Sequence, residues 1–82
     1  MDRMEIAQII GAVKRHYPTW KKHHLEWERT SGASQWRKSA QLMKECEAAI
    51  NWACIESGCQ RLTIYAIFKE IYNRELVNNE HQ

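Results

Sequence analysis

From Met4 onward the apolar positions Ile6, Ile9, Ile10, Val13 and Tyr17 recur at steps of three and four, the stripe of an amphipathic helix. Pro18 is expected to end it, because a residue before proline is pushed out of the helical region. A second helix then starts behind Thr19 as N-cap, with Trp20, His24 and Trp27 on one face and His23 beside them. The run "TSGAS", Thr30 to Ser34, breaks that pattern. Ser34 caps a third helix reaching about Ser57, where Gly58 supplies the left-handed residue that often follows a helix. Its buried stripe is Ser39, Leu42, Met43, Cys46, Ala49, Ile50, Ala53 and Cys54. Ala48, Trp52 and Ile55 are apolar on its other faces, which predicts a central helix with neighbours on more than one side. Thr63 caps a fourth helix with Ile64, Ile67, Phe68, Ile71 and Tyr72 as core face, and Leu62 with Ile67 in the hydrophobic-staple positions.

The expected fold is therefore all-α, a small four-helix domain with a long central third helix. It occupies residues 1–77, with 78–82 as a frayed tail. There is no strand-like alternation, internal repeat or low-complexity linker.

Composition narrows the class. A chain of 82 residues buries only about 60 to 65 per cent of its unfolded surface, so a homodimer that completes the core across a two-fold axis is a candidate state. The apolar fraction of 44% and charged fraction of 27% are those of a folded chain. Cys46, Cys54 and Cys59 are odd in number and lie in or beside helical pattern, which points to reduced thiols rather than a disulfide framework. No apolar run is long enough for a membrane span and no secretory h-region is present, so the expected location is cytoplasmic.

The net charge of +2 hides an uneven distribution. Residues 14 to 38 hold seven cations against two carboxylates, a net +5; the rest holds five cations and eight anions, a net −3. The same stretch contains three of the four tryptophans. Lys14, Arg15, Trp20, Lys21, Lys22, His23, Arg29, Trp36, Arg37 and Lys38 are the candidate binding residues. Cations neutralise phosphates and aromatics stack on unpaired bases, which suits nucleic acid, DNA before RNA. An acidic protein surface suits them as well, since Trp and Arg anchor interfaces. Lys21 and Lys22, at the start of the expected second helix, oppose the helix dipole and so call for a functional reason.

Ala48 to Ile71 resembles a helix-turn-helix, the bacterial regulator motif: Cys54, Gly58, Cys59, Ile64 and Ile67 fill its small, glycine and apolar positions, although Ser57 stands where the family has an apolar residue. The resemblance implies a recognition helix presenting Gln60, Arg61, Thr63, Tyr65 and Lys69 to a major groove. The Tyr17-Pro18 pair, the tryptophan that follows and "LTIYAI" at Leu62 to Ile67 are faintly similar to phage helicase-loader domains, which implies a phage or mobile-element type of host-protein inhibitor.

Catalytic and metal chemistry find no support. Adjacent His23 and His24 point about 100° apart on a helix, and Cys54 and Cys59 lack the Cys-x-x-Cys spacing of a zinc knuckle. No phosphate loop or nucleophile motif is present. The expectation is a non-enzymatic regulator without cofactor or metal, binding nucleic acid, or alternatively an adaptor or inhibitor docking on an acidic protein.

Overall fold

Asp2 starts the first helix: its carboxylate accepts the amide of Glu5 at 2.8 Å, satisfying one of the free donors of the first turn. In this computed structural model, which describes residues 2–30 and 35–80, that helix is α1, Arg3–Arg29, and it runs straight through Pro18. Thr30 ends it. The Thr30 hydroxyl donates to the carbonyls of Glu26 (3.0 Å) and Trp27 (3.2 Å), which its amide also engages. Helix α2, Trp36–Ser57, follows with Gln35 at its cap position, where the Gln35 side chain makes no capping hydrogen bond; the expected Ser34 cap lies outside the described residues. Gly58 closes α2 at φ 74°, its amide bonded to the Cys54 carbonyl at 2.8 Å. A Cβ there would meet nothing within 4 Å, so the demand for glycine comes from the backbone angle alone. Helix α3, Arg61–Glu80, completes the chain. Every element is helical among the described residues, and none is long and apolar enough to cross a membrane.

Three helices, not four, is the first correction to the sequence reading. A proline inside a helix costs about 3 kcal/mol, from a lost amide and a clash with the preceding turn. Here it lies on an exposed position between Tyr17 and Trp20, both buried. Only a continuous helix keeps Val13, Tyr17, Trp20, His24 and Trp27 on one face. Burying rings of that size contributes about 1.5–3 kcal/mol each, which outweighs the break.

The second correction concerns α3. The Ser57 hydroxyl accepts the Cys59 amide at 3.2 Å, and with Gly58 left-handed the chain reverses within residues 58–60. The Ile64 amide already bonds the Gln60 carbonyl at 3.1 Å. Leu62 and Thr63 therefore sit in the first turn and not before it; Leu62 staples nothing and is 79% exposed.

The third concerns α2. Leu42, Ala49, Ile50 and Ala53 of its expected stripe are buried, and Ser39, Cys46 and Cys54 half-buried, but Met43 is exposed. Ala48, Trp52 and Ile55 have no neighbour over them, so α2 is not the centre of the domain.

α1 and α2 form an antiparallel pair, the most extensive contact in the molecule. Cys46 Sγ points at the Trp20 carbonyl (3.8 Å), while Arg15 and His16 reach Glu56, one residue from the end of α2. The earlier turns of α1 thus have little of α2 to pack on, and Met4, Ile6 and Ile10 stay exposed. α3 lies across this pair. Tyr17 bonds Glu75 (2.6 Å) and Tyr72 bonds Glu28 (3.2 Å), so about 16 Å of α1 corresponds to about 4.5 Å of α3, a steep crossing. The core at that crossing comprises Ala12, Tyr17, Trp20, Ala49, Ile50, Ala53, Ile64, Phe68 and Tyr72. The result is flat: 48 × 32 × 17 Å, with the thin dimension about two helix layers deep.

Two substitutions test this architecture. Ile50→Asp places an unpaired carboxylate in the core and is expected to lower unfolding free energy by about 3–5 kcal/mol in urea titration; parental stability would disprove the burial of Ile50. Pro18→Ala is expected to raise stability by about 2 kcal/mol, the helix-interior penalty less the entropy a proline removes from the unfolded chain. A neutral or destabilising Pro18→Ala would mean that α1 breaks at Pro18.

Candidate functional site

The cations and the aromatics of the Lys14–Lys38 stretch separate in the fold. Trp20, 1% exposed, is the hub of an aromatic cluster. Its ring stacks on His24 at 4.6 Å and 9°, and packs on Phe68 at 5.5 Å, Tyr17 at 6.0 Å and edge-on to Tyr72 at 6.0 Å. His24 continues to Trp27 at 5.8 Å and Tyr72 at 5.0 Å. The His24 Nε2 atom lies 2.7 Å from Glu28, but the approach is too oblique to count as an aligned hydrogen bond.

Two of the seven cations are internal ties. Arg15 donates to Glu56 at 2.9 Å, and Lys21 donates to Glu75, whose other oxygen accepts from Tyr17. These contacts hold both carboxyls below the usual range: Glu75 through the hydrogen bond of Lys21 and then that of Tyr17, Glu56 through His16 (3.0 Å, again obliquely) and then Arg15. Burial, reinforced by Glu75, pushes the Tyr17 hydroxyl up. His23 is turned onto its own helix, Nδ1 donating to the Thr19 carbonyl at 2.8 Å.

Lys14, Lys22 and Arg29 are left exposed with no acidic partner among the described residues. At 100° per residue they fall within an arc of about 80° on α1, over about 22 Å of its length. Trp36, Arg37 and Lys38 form a second exposed cluster at the start of α2, the Arg37 guanidinium 5.3 Å above the Trp36 ring. Lys21 and Lys22 lie well inside α1, where the macrodipole has little effect. Arg37 and Lys38 occupy the first turn of α2, which holds no acidic residue, so they are the cations placed against local preference.

In α3, Gln60, Arg61, Thr63 and Tyr65 are exposed around the helix start, whereas Lys69 is half-buried with its ammonium 5.7 Å above Tyr72 and Arg74 is paired with Glu70 at 2.9 Å. The positions that carry the helix-turn-helix resemblance do pack inward: Ile64 is buried and Cys54, Cys59 and Ile67 half-buried. The outer surface of α3, however, mixes apolar Leu62, Tyr65, Leu76 and Val77 with polar residues and offers Arg61 as its unpaired cation among the described residues.

Sequence reasoning missed a groove of about 350 Å³ where the three helices meet. Trp20, His24 and Trp27 line it from α1, Met43, Cys46, Glu47 and Ile50 from α2, and Arg61, Leu62 and Tyr65 from α3. The signal was present in Met43 and Leu62, two large apolar side chains that their own helices leave exposed. Burial, then Glu45 and Glu47, push the Cys46 thiol up to about 11, so it is protonated at neutral pH and unsuited to nucleophilic work. Among the described residues no three metal-ligating side chains gather. Comparison with protein-family models, curated proteins and solved structures gives no match to this chain.

The depressed carboxyls carry a pH signature. A carboxyl that titrates lower in the fold than in the unfolded chain contributes stability above its unfolded value, about 4.3, and loses it as pH falls through the folded value. The melting temperature is expected to drop between pH 5 and pH 3, and Glu75→Gln to shallow that drop while lowering stability at pH 7. An identical acid profile for Glu75→Gln would show that the Lys21–Glu75–Tyr17 tie contributes nothing.

Proposed function

We propose that this protein is a non-enzymatic helical adaptor that docks on an acidic protein surface through Lys14, Lys22 and Arg29 on the outer face of α1. One observation carries the reading: these cations stand exposed and unpaired along one side of the helix, while Trp20 faces nearly the opposite way and Tyr17, about 100° round the helix from them, is turned into the core. A single-strand binder needs stacking rings interleaved with its cations, and α1 presents none on that face. A groove reader needs a recognition helix rich in free donors, whereas α3 sets Arg61 and Thr63 beside exposed Leu62 and Tyr65, holds Lys69 over Tyr72 and pairs Arg74 with Glu70. Docking on protein asks only for complementary charge with nearby apolar anchors, and Trp36 beside Arg37 supplies one. Lys21, bound to Glu75, supports the fold and is excluded from the docking set.

The test compares the parent with the triple variant Lys14→Glu, Lys22→Glu, Arg29→Glu. Each residue is exposed, so unfolding free energy is expected to stay within about 0.5 kcal/mol per site. In pull-downs from nuclease-treated lysate the parent retains a partner that the variant loses and that raised salt releases. Parallel mixing with mixed-sequence duplex DNA is expected to give no complex at physiological salt. A complex with DNA that the triple variant loses, with nothing retained after nuclease, would replace this reading with the nucleic-acid one.

A further inference from the structure

We infer that the groove between the three helices is a self-association surface, filled by Leu62 of a second copy of this chain across a two-fold axis. The inference does not rest on the acidic-partner reading, since none of Lys14, Lys22 and Arg29 lines the groove.

Four observations converge. First, α3 carries apolar side chains on its outer side as well as its buried one: Ile64, Phe68 and Tyr72 are buried, while Leu62, Tyr65, Leu76 and Val77 are exposed among the polar Thr63, Glu70, Asn73 and Arg74. Leu62 and Tyr65, in its first two turns, put large apolar side chains into solvent beside the groove. Second, the chain is open for its size. Its radius of gyration is 14.1 Å against about 12 Å for a compact domain of this length. It exposes 6183 Å² where a compact chain of this mass exposes about 5,200 Å². The surplus of about 1,000 Å² matches the roughly 800 Å² that each partner contributes to a standard interface.

Third, the surface is self-complementary in shape. A two-fold contact brings one patch against itself, so the patch must contain both the projection and the hollow. Leu62 is the projection, 79% exposed. It stands on the rim of the groove formed with Trp27, Met43, Ile50 and Tyr65, and also borders a shallower furrow along Ala66, Ile67 and Ile71. Fourth, the surface is self-complementary in charge. Glu47 and Arg61 both line the groove and neither has a partner within the described chain. A two-fold axis through the groove sets each of them against the opposite charge of the second copy, twice per dimer.

Sedimentation velocity across about 1 to 300 µM, the range in which interfaces of this size associate, tests the assignment. The parent is expected to pass from 9.8 kDa to twice that mass. Leu62→Glu is expected to raise the dissociation constant tenfold or more with the circular dichroism spectrum unchanged, because the side chain supports nothing in the monomer. Arg61→Glu alone, which sets like charges together, is expected to weaken association, and Arg61→Glu with Glu47→Arg to restore it. A parent that is monomeric throughout overturns the inference and leaves the groove to a different occupant. A dimer indifferent to Leu62→Glu overturns it too, and a double variant no tighter than Arg61→Glu overturns the two-fold register.

Discussion

Trp20 lies where all three helices cross, and the burial of its ring sets the conditions that the remaining structure meets. Phe68 and Tyr72 reach it from α3, Tyr17 and His24 flank it on α1, and Cys46 touches its carbonyl from α2. In a chain with so little core, one aromatic cluster supplies much of the apolar burial. Keeping Tyr17 and Trp20 in that cluster requires a helical backbone through Pro18, and the proline is carried on the solvent side where its missing amide does least harm. The crossing of α3 over α1 follows from the same cluster, since Phe68 and Tyr72 must both meet rings of residues 17–24.

Around the cluster the polar ends of the rings bind carboxylates. Tyr17 and Lys21 share Glu75, and Tyr72 reaches Glu28, so α3 is held to α1 by groups that could not be buried alone. Some of the positive charge that marks the sequence is thereby used inside the fold. What is left over is sorted by face: Lys14, Lys22 and Arg29 outward on α1, Trp36 to Lys38 at the start of α2, and an apolar groove on the other side. The rings of α1 are thus not assembled with its cations on one surface, and the exposed ring that does stand beside a cation is Trp36, under Arg37 at the start of α2.

Flatness has its own consequence. Two long helices with a third laid across them cannot cover every apolar face, and Met43, Trp52, Ile55, Leu62 and Val77 stay in contact with solvent.

The periodicity of the chain was enough to establish an all-α fold, the Gly58 helix end, the Leu42–Ala53 stripe and the Ile64–Tyr72 face, because each depends on residues close in sequence. The continuity of α1 was legible too: positions 6, 10, 13, 17, 20, 24 and 27 keep one alternation of four and three across Pro18. Local proline chemistry argued the other way, and the choice between them belongs to tertiary burial, which no local rule contains. The start of α3 was misread for a related reason, since Thr63 and Leu62 have the identities of a cap and a staple but the backbone had already turned at Gly58. Likewise the Lys14–Lys38 stretch has the composition of a mixed basic and aromatic surface, and only the fold decides which residues share it. Trp20 and Lys22 are two positions apart, yet on a helix they face nearly opposite ways, one into the crossing and one into solvent. Residue type and spacing determine which side chains share a face; which face is buried, and against what, is decided by the distant residues that come to pack there.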